Sequence, residues 1–365
     1  LEQPDEEQEE LYPNDSAFQD LFASPGQIVE FQISIPEGYN TPIDVLEHFI
    51  RSLNQLTCPV SFEIIGNEAS IIIQFACDLE DTKQFYSIFQ AYLPEISISP
   101  TSRYLQKHWD DTEDSKSIVV DFGLSNECML PIQTYTHFKI DPLISIFTSL
   151  EGISKNELGV FQILFSPVLN PWAENMVRAV TDNDGKPFFM DAPELISLTN
   201  QKISKPLYAT VIRVAIQSHD SDRTLSLAKQ MALSLNHFER RGSNHFIPLE
   251  NEDYPDEIHE LDLIHRRSHR TGQLLNAEEL ISIAHIPSAS VRSEKLSREV
   301  LRTKEAPDIT DGHSLSLGRN YLSHGYHEVT LSPQQRMKHM YLIGASGTGK
   351  STLAKILVGL IPPTV

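Results

Sequence analysis

A stretch of small, hydroxyl-bearing and basic residues near the carboxyl end has the spacing of a nucleotide phosphate-binding loop. Its residues are Gly344, Ala345, Ser346, Gly347, Thr348, Gly349, Lys350, Ser351 and Thr352. They fit G-x-x-x-x-G-K-[ST] at every defined position. Glycines let the backbone turn its N–H groups toward phosphate oxygens, and the amino end of a following helix attracts anions. The stretch therefore predicts ATP binding.

Three side chains of this loop have distinct predicted roles. Lys350 supplies a mobile positive charge for the β- and γ-phosphates, and Ser351 supplies a hydroxyl ligand for Mg²⁺. Thr352 adds a hydroxyl near the α-phosphate. ATP and Mg²⁺ are therefore the predicted cofactors, and Ser351 is the predicted metal-ligating residue.

Hydrolysis needs groups that this motif does not contain. A carboxylate at the end of a later strand must hold Mg²⁺, and another group must orient the attacking water. The residues from 353 to 365 contain neither Asp nor Glu. We therefore expect this chain by itself to bind phosphate weakly and not to hydrolyse ATP, and the catalytic residues stay unknown.

The residues on both sides of the loop predict a strand followed by a helix. The apolar run HMYLIG, residues 339–344, predicts a buried strand, and KSTLAKILVGL, residues 350–360, predicts a helix. Apolar residues at helical spacing predict the buried side of this helix, namely Leu353, Ile356, Leu357 and Leu360.

Upstream, two long segments show the same order of elements, β-α-β-β-α-β. The first covers residues 28–100, and the second covers residues 101–250 with an insertion at about 167–203. This order predicts an α+β fold with tandem ferredoxin-like units. Residues 312–365 are predicted to form the truncated start of a P-loop α/β ATPase domain.

The other segments have compositions typical of a tail and a linker. Residues 1–27 are predicted to be an acidic disordered tail. Residues 251–311 are predicted to be a linker with a short helix in NAEELISIAHIP. Within that linker, HRRSHR predicts an exposed charged turn. His265 and His269 are spaced for one helix face, but no Cys or carboxylate completes a metal site there.

The charge balance and the cysteines narrow the classes of function. A formal net charge of −21 argues against a broad basic surface that neutralises nucleic-acid phosphates. The three cysteines form neither a metal-ligand pattern nor a disulfide framework. The sequence has no spanning apolar run and no signal peptide, so the cytoplasm is the expected location. Association with the inner face of the membrane stays open, and both ends are interpreted as cut from a longer protein.

The residues leading into the loop resemble those of a known ATPase superfamily. LGRN at 317–320, HEVTL at 327–331 and RMKHMYLIGASGTGKSTL at 336–353 resemble the beginning of the motor domain in HerA/FtsK-like ATPases of bacterial conjugation and type IV secretion. LLNAEELISIAHIP at 274–287 and QILFSPVLNPWAENM at 162–176 resemble segments upstream of that motor. The resemblance covers roughly residues 28–365, and only the loop is highly specific.

The resemblance implies a hexameric ring that uses ATP to move DNA or a nucleoprotein through its centre. Lys350 and Ser351 would be the Walker A pair, and Gly344, Gly347 and Gly349 would shape the loop. DNA would be contacted by sequence downstream of this chain, and protein partners would dock on the amino-terminal units.

Two other interpretations stay open. Residues 344–364 also resemble the first segment of ABC-transporter ATPases, in which Tyr326 would be the aromatic residue that stacks on adenine. Alternatively, the chain is a non-catalytic interaction platform. The sequence downstream of this chain would distinguish the three interpretations. A strand ending in Asp supports the motor, a Leu-Ser-Gly-Gly-Gln run supports the ABC class, and a natural stop at Val365 supports the platform.

Overall fold

The structure, a computed structural model, consists of two compact units, residues 1–298 and residues 299–365. It describes residues 21–22, 26–101, 103–109, 112, 114–168, 171–182, 184–252, 254–296, 298–299, 306–322, 325–343 and 349–360. Most of the predicted acidic tail therefore lies outside the described residues. The same holds for residues 344–348 of the predicted phosphate loop.

Ten strands form one large sheet. They are β1 (Ile28–Pro36), β2 (Val60–Gly66), β3 (Ile71–Asp78), β4 (Ser97–Thr101), β5 (Lys116–Leu124), β6 (Leu158–Pro167), β7 (Leu207–Ser218), β8 (Phe246–Pro248), β9 (Gln273–Asn276) and β10 (Arg298–Glu299). Every strand pair with a described register is antiparallel. Together with the helices of this unit, the sheet confirms the predicted α+β class.

Nine helices of the first unit connect or cover these strands in the described ranges. They are α1 (Ile43–Ser52), α2 (Thr82–Tyr92), α3 (Tyr104–His108), α4 (Ile144–Glu151), α5 (Pro171–Val180), α6 (Glu194–Ile203), α7 (Ser221–Ser234), α8 (Asp256–His265) and α9 (Ala277–Ile283). Short 3₁₀ turns occupy Leu53–Gln55, Tyr135–His137 and Leu235–Phe238. Helices α5 and α6 lie between β6 and β7, where the sequence predicts an insertion.

The order of strands gives the sheet two similar halves. The central pair is β2 with β6, in register from Val60 opposite Phe165 to Gly66 opposite Gly159. Outward from this pair, one half runs β2, β3, β1, β4 and the other runs β6, β7, β5, β8. Each half therefore has the order second, third, first, fourth along the chain. The two predicted α+β segments share one continuous sheet.

One face of the sheet holds the main apolar core. Residues of α1, α2, α4, α7 and α9 pack there against alternate residues of the strands. Aromatic rings concentrate in the first half, where Phe75 lies 5.3–6.1 Å from the ring centroids of Phe62, Phe49, Phe85 and Phe89. Burial of each such ring contributes about 1.5–3 kcal/mol. The alternation of apolar residues in the strands thus fixes which face the helices cover.

The opposite face is covered by α3 and α8 over a smaller apolar cluster. Leu105 and Trp109 at α3, and Leu263 and Ile264 at α8, belong to this cluster with sheet residues that include Val160. Beside this cluster, the same face carries buried polar side chains, described below. The sheet is therefore buried on both faces along its central strands.

Residues 254–283 differ from the predicted linker, since they belong to the first unit. Helix α8 covers the sheet, and β9 pairs with β7 from Leu207 opposite Asn276 to Thr210 opposite Gln273. Asn276 and Glu279 form a capping box that begins α9. The sequence looks like a polar linker because α8 buries polar residues, including His259 and Asp262, as well as Leu263.

The second unit contains a hairpin and two short helices. Strands β11 (Leu315–Leu322) and β12 (Gly325–Leu331) are antiparallel, a 3₁₀ turn covers Asp308–Thr310, and the helices are α10 (Pro333–Arg336) and α11 (Lys350–Leu357). A capping box of Ser332 and Gln335 begins α10. None of the helices in the described ranges is long and apolar enough to cross a membrane.

The strand predicted at 339–344 is not present in its described part. Residues 339–343 form neither helix nor strand, and Tyr341 and Ile343 are 88% and 95% exposed. No strand among the described residues pairs with them. Among the described residues, their backbone N–H and C=O groups therefore have no neighbouring strand to pair with. Their exposed apolar side chains do not pack against a core.

The buried side predicted for the last helix is only partly observed. Leu353, Ile356 and Leu357 in α11 are half-buried, whereas Leu360 is exposed and lies beyond the helix end. The four apolar residues have the right spacing for one stripe, but the described residues do not bury that stripe.

Candidate functional site

The described part of the candidate phosphate loop is its last turn, which leads into α11. Gly349 has a φ of +85°, in the left-handed region, and directly precedes the helix. Among the described residues other than its chain neighbours, no atom lies within 4 Å of the position that a Cβ would take there. The backbone conformation by itself favours glycine at this position.

The next three residues form the first turn of the helix. Lys350 is half-buried, and Ser351 and Thr352 are exposed. The first turn contains no acidic residue that would repel an anion. Because the first backbone N–H groups of a helix have no intrahelical acceptor, they can donate to phosphate oxygens. The turn thus combines backbone donors, one ammonium group and two hydroxyl groups.

Arg336 fixes the other end of this helix. Its guanidinium donates to the Leu357 carbonyl oxygen from Nε at 2.9 Å and from Nη2 at 2.6 Å. A cation at the carboxyl end also complements the helix dipole. The side chain of Arg336 thus has a structural role in the second unit.

The structure brings together four of the nine predicted loop residues, Gly349 to Thr352. The other five, Gly344 to Thr348, lie outside the described residues. Tyr326, the aromatic residue of the ABC interpretation, is a residue of β12 opposite Tyr321. Across the described ranges, no three residues of the types His, Cys, Asp and Glu lie close enough to hold a metal ion.

A transverse row of polar side chains crosses the sheet of the first unit. It consists of directly paired residues on five neighbouring strands, Gln74, Glu63, Gln162, Arg213 and Asp121. All five side chains are buried. Glu63 accepts from Gln74 Nε2 at 2.6 Å and from Gln162 Nε2 at 3.0 Å, and Arg213 Nε donates to Asp121 Oδ1 at 2.7 Å. We refer to these five residues as the polar row.

The segment after α8 binds to the polar row. Arg266 has a left-handed backbone with a φ of 53°, and its guanidinium contacts Glu63 Oε1 at 2.8 Å and Glu30 Oε1 at 2.6 Å. The Arg267 carbonyl oxygen accepts from Arg213 Nη1 at 3.1 Å. The prediction of an exposed charged turn at 265–270 is therefore wrong for Arg266 and Ser268, which are buried. Buried carboxylates need a counter-charge, and Arg266 supplies it.

The carboxylates of the polar row stay ionised in spite of their burial. Burial raises the pKa of Glu63, but the charge of Arg266 and hydrogen bonds from Arg266, Gln74 and Ser61 outweigh it and lower that pKa. For Asp121, the effect of burial is likewise outweighed by Arg213 and His259, so its pKa lies far below the usual range. Groups that stay charged at neutral pH are poor proton donors, so the row acts as structural ion pairing.

The pairing of basic residues with buried acids leads us to predict that the chain does not bind DNA. The densest basic stretch, residues 265–270, directs Arg266 to Glu63 and Arg267 to Asp262, so few of its charges can reach phosphates. We expect the chain not to retard duplex or single-stranded DNA at about physiological salt, where nonspecific binders have dissociation constants of roughly 10⁻⁴ to 10⁻⁶ M. A gel-shift titration measures this. Micromolar binding that weakens with added salt would contradict it.

Sequence reasoning missed the polar row, although each strand carries a visible signal. A single charged or amide residue interrupts an apolar run in IIIQFA, VSFEIIG, VFQILF, VIRVAI and VVDFG.

Comparison of the chain with protein-family models gives no match, and comparison with curated proteins gives no significant match.

Proposed function

We propose that this chain binds ATP with Mg²⁺ through residues 344–352, as the beginning of the motor domain of a HerA/FtsK-like ATPase. The observation that carries the proposal is the complete motif whose final residues adopt the required turn into a helix. Gly349 has the left-handed conformation, and Lys350 is the first residue of α11. In this function Lys350 contacts the β- and γ-phosphates, and Ser351 binds Mg²⁺.

In the same proposal, the first unit is an assembly platform for the motor. Its halves share the strand order second, third, first, fourth outward from the β2·β6 pair, which supports the interpretation as two fused ferredoxin-like units. Such a platform would place copies of the motor in a hexameric ring that moves DNA or a nucleoprotein. The ring and its substrate rest on the resemblance of the residues that lead into the loop.

One observation favours the alternative of an interaction platform without nucleotide chemistry. A phosphate loop normally follows a buried strand, and residues 339–343 form no strand and are largely exposed. A titration of the chain with MgATP distinguishes the two functions. Saturable binding supports the ATPase, and a folded chain that shows none would support the platform.

Ser351→Ala tests the assignment of the magnesium ligand. We expect this variant to bind ATP several-fold more weakly in the presence of Mg²⁺ and with unchanged affinity in EDTA, because only the hydroxyl ligand of the ion is lost. Calorimetric titrations with and without Mg²⁺ measure both values. Ser87→Ala, at an exposed position of α2, is the matched control. Equal losses with and without Mg²⁺ would remove Ser351 from this role.

A further inference from the structure

A cavity of about 350 Å³ in the first unit lies next to the polar row. Four consecutive residues line one side of it, His269, Arg270, Thr271 and Gly272. Apolar side chains, including Val211 and Leu249, line another part, and Asp121 of the polar row also lines the cavity. The cavity thus combines a run of hydrogen-bonding side chains with an apolar wall, as small-molecule sites do.

Arg270 is the first feature of this cavity that points to an anion. Its guanidinium lies 5.3 Å above the Tyr254 ring centroid, and its Nη2 donates to Asn251 Oδ1 at 3.2 Å and to the Glu250 carbonyl oxygen. Its Nη1 has no hydrogen-bond partner among the described residues, and Asp121 Oδ2 is 3.8 Å away. The guanidinium is therefore held in place and keeps an unused donor.

Two buried carboxylates near Arg270 are each paired with another arginine. Asp121 is paired with Arg213 at 2.7 Å, and Asp262 is paired with Arg267 at 3.2 Å. Arg270 has no carboxylate of its own within hydrogen-bond distance in the described part of the chain. Because an arginine stays charged at all working pH values, this cation remains available to a ligand.

His269 is oriented toward ligand binding by a buried acid. Its Nδ1 lies 2.6 Å from Asp262 Oδ2, and the Tyr254 hydroxyl donates to the same carboxylate. Asp262 is fully buried, whereas the His269 side chain is 58% exposed. Since the Asp262 carboxylate accepts the Nδ1 proton, Nε2 is the ring nitrogen left for a ligand.

The backbone brings these side chains to the cavity through a tight turn. Gly272 has a φ of +76°, and a Cβ there would lie 2.7 Å from the Thr210 carbonyl oxygen. Only glycine allows this approach to β7. The turn therefore places Thr271 at the cavity, beside His269 and Arg270.

We propose that this cavity binds a small organic anion, a carboxylate or a phosphate monoester, through His269, Arg270 and Thr271. The apolar part of the ligand lies against Val211 and Leu249. The strong negative charge of the whole chain disfavours anions elsewhere on the surface, so binding here depends on the charge of Arg270. The site is independent of the proposed nucleotide loop.

The test titrates the full chain carrying Lys350→Ala, which removes the phosphate contact of the nucleotide loop. The probes are phenyl phosphate, benzoate and neutral benzyl alcohol, and calorimetry measures the binding of each. We expect one or both anions to bind and benzyl alcohol not to bind, and the better anion identifies the class of ligand. Arg270→Gln should weaken binding roughly tenfold to a hundredfold, because a charged hydrogen bond is lost. Arg178→Gln, at an exposed residue of α5, should leave it unchanged.

Two further variants keep the test decisive if Arg270→Gln does not fold. His269→Gln and Thr271→Val each remove one ligand contact, and each should weaken binding several-fold in a chain with a native circular-dichroism spectrum. The proposal is overturned if a folded chain binds neither anion saturably. It is also overturned if binding persists undiminished in the folded cavity variants.

Discussion

Lys350→Ala is expected to weaken MgATP binding by the native full-length protein roughly tenfold to a hundredfold and to reduce its ATP turnover at least as much. The substitution removes a charged contact to the β- and γ-phosphates, and such contacts contribute about 1.5–3 kcal/mol. Because Lys350 is the first residue of α11, alanine is compatible with the helix, and the loss isolates the ammonium group. Calorimetry and steady-state phosphate release measure the two quantities.

Lys355→Ala provides the matched control for this prediction. Lys355 lies in the last turn of the same short helix and is exposed, so its loss changes the net charge equally without touching the motif. We expect its affinity for MgATP to stay within about twofold of the wild type, since Lys355 lies outside the motif and salt partly screens its exposed charge. Equal affinities for the wild type and Lys350→Ala would exclude the proposed nucleotide site.

The α+β class could be predicted because local patterns carry it. Alternation in IVEFQISIP and the helical spacing in DVLEHFIRS each reflect one face of one element, and β1 and α1 form where these patterns occur. The junction of β2 with β6 could not be predicted in the same way. It depends on which two strand edges meet across about a hundred residues of chain, and both strands are buried on both faces.

For the phosphate loop, the sequence predicts the motif and the start of the helix but not the structure of the residues before it. Its residue types are specific, and the start of α11 at Lys350 agrees with the motif. The apolar run before it, HMYLIG, has the composition of a buried strand, yet residues 339–343 form none. A strand requires a neighbouring strand for its backbone groups, and composition alone cannot supply that neighbour.

The polar row could be predicted only in part from the sequence. Glu63 or Arg213 within an apolar run indicates a buried polar position, and that signal was present in the sequence. The alignment of all five residues requires the register of five strands, in which a shift by one residue would move a side chain to the other face. The partner Arg266 comes from the segment after α8, so only the tertiary structure connects it to Glu63.

Arg266→Met is expected to lower the free energy of unfolding of the first unit by about 3–5 kcal/mol, the usual effect of removing one partner of a buried ion pair. Methionine has a similar length, so the loss reflects charge more than volume. The variant leaves Glu30 and Glu63 without the cation that contacts both of them. Urea unfolding followed by circular dichroism measures the change, and a smaller urea midpoint with an unchanged slope is the expected result.

A double-variant cycle shows whether the effect comes from the ion pair. Glu63→Gln removes the negative charge that Arg266 neutralises, so Arg266→Met/Glu63→Gln should be less destabilised than the sum of the two single variants, by about 1–3 kcal/mol. Arg178→Met, at an exposed residue of α5, should change the stability by less than about 0.5 kcal/mol. Additive losses in the double variant would mean that Arg266 stabilises the fold by packing over the sheet, and the counter-charge explanation for the buried turn would then be wrong.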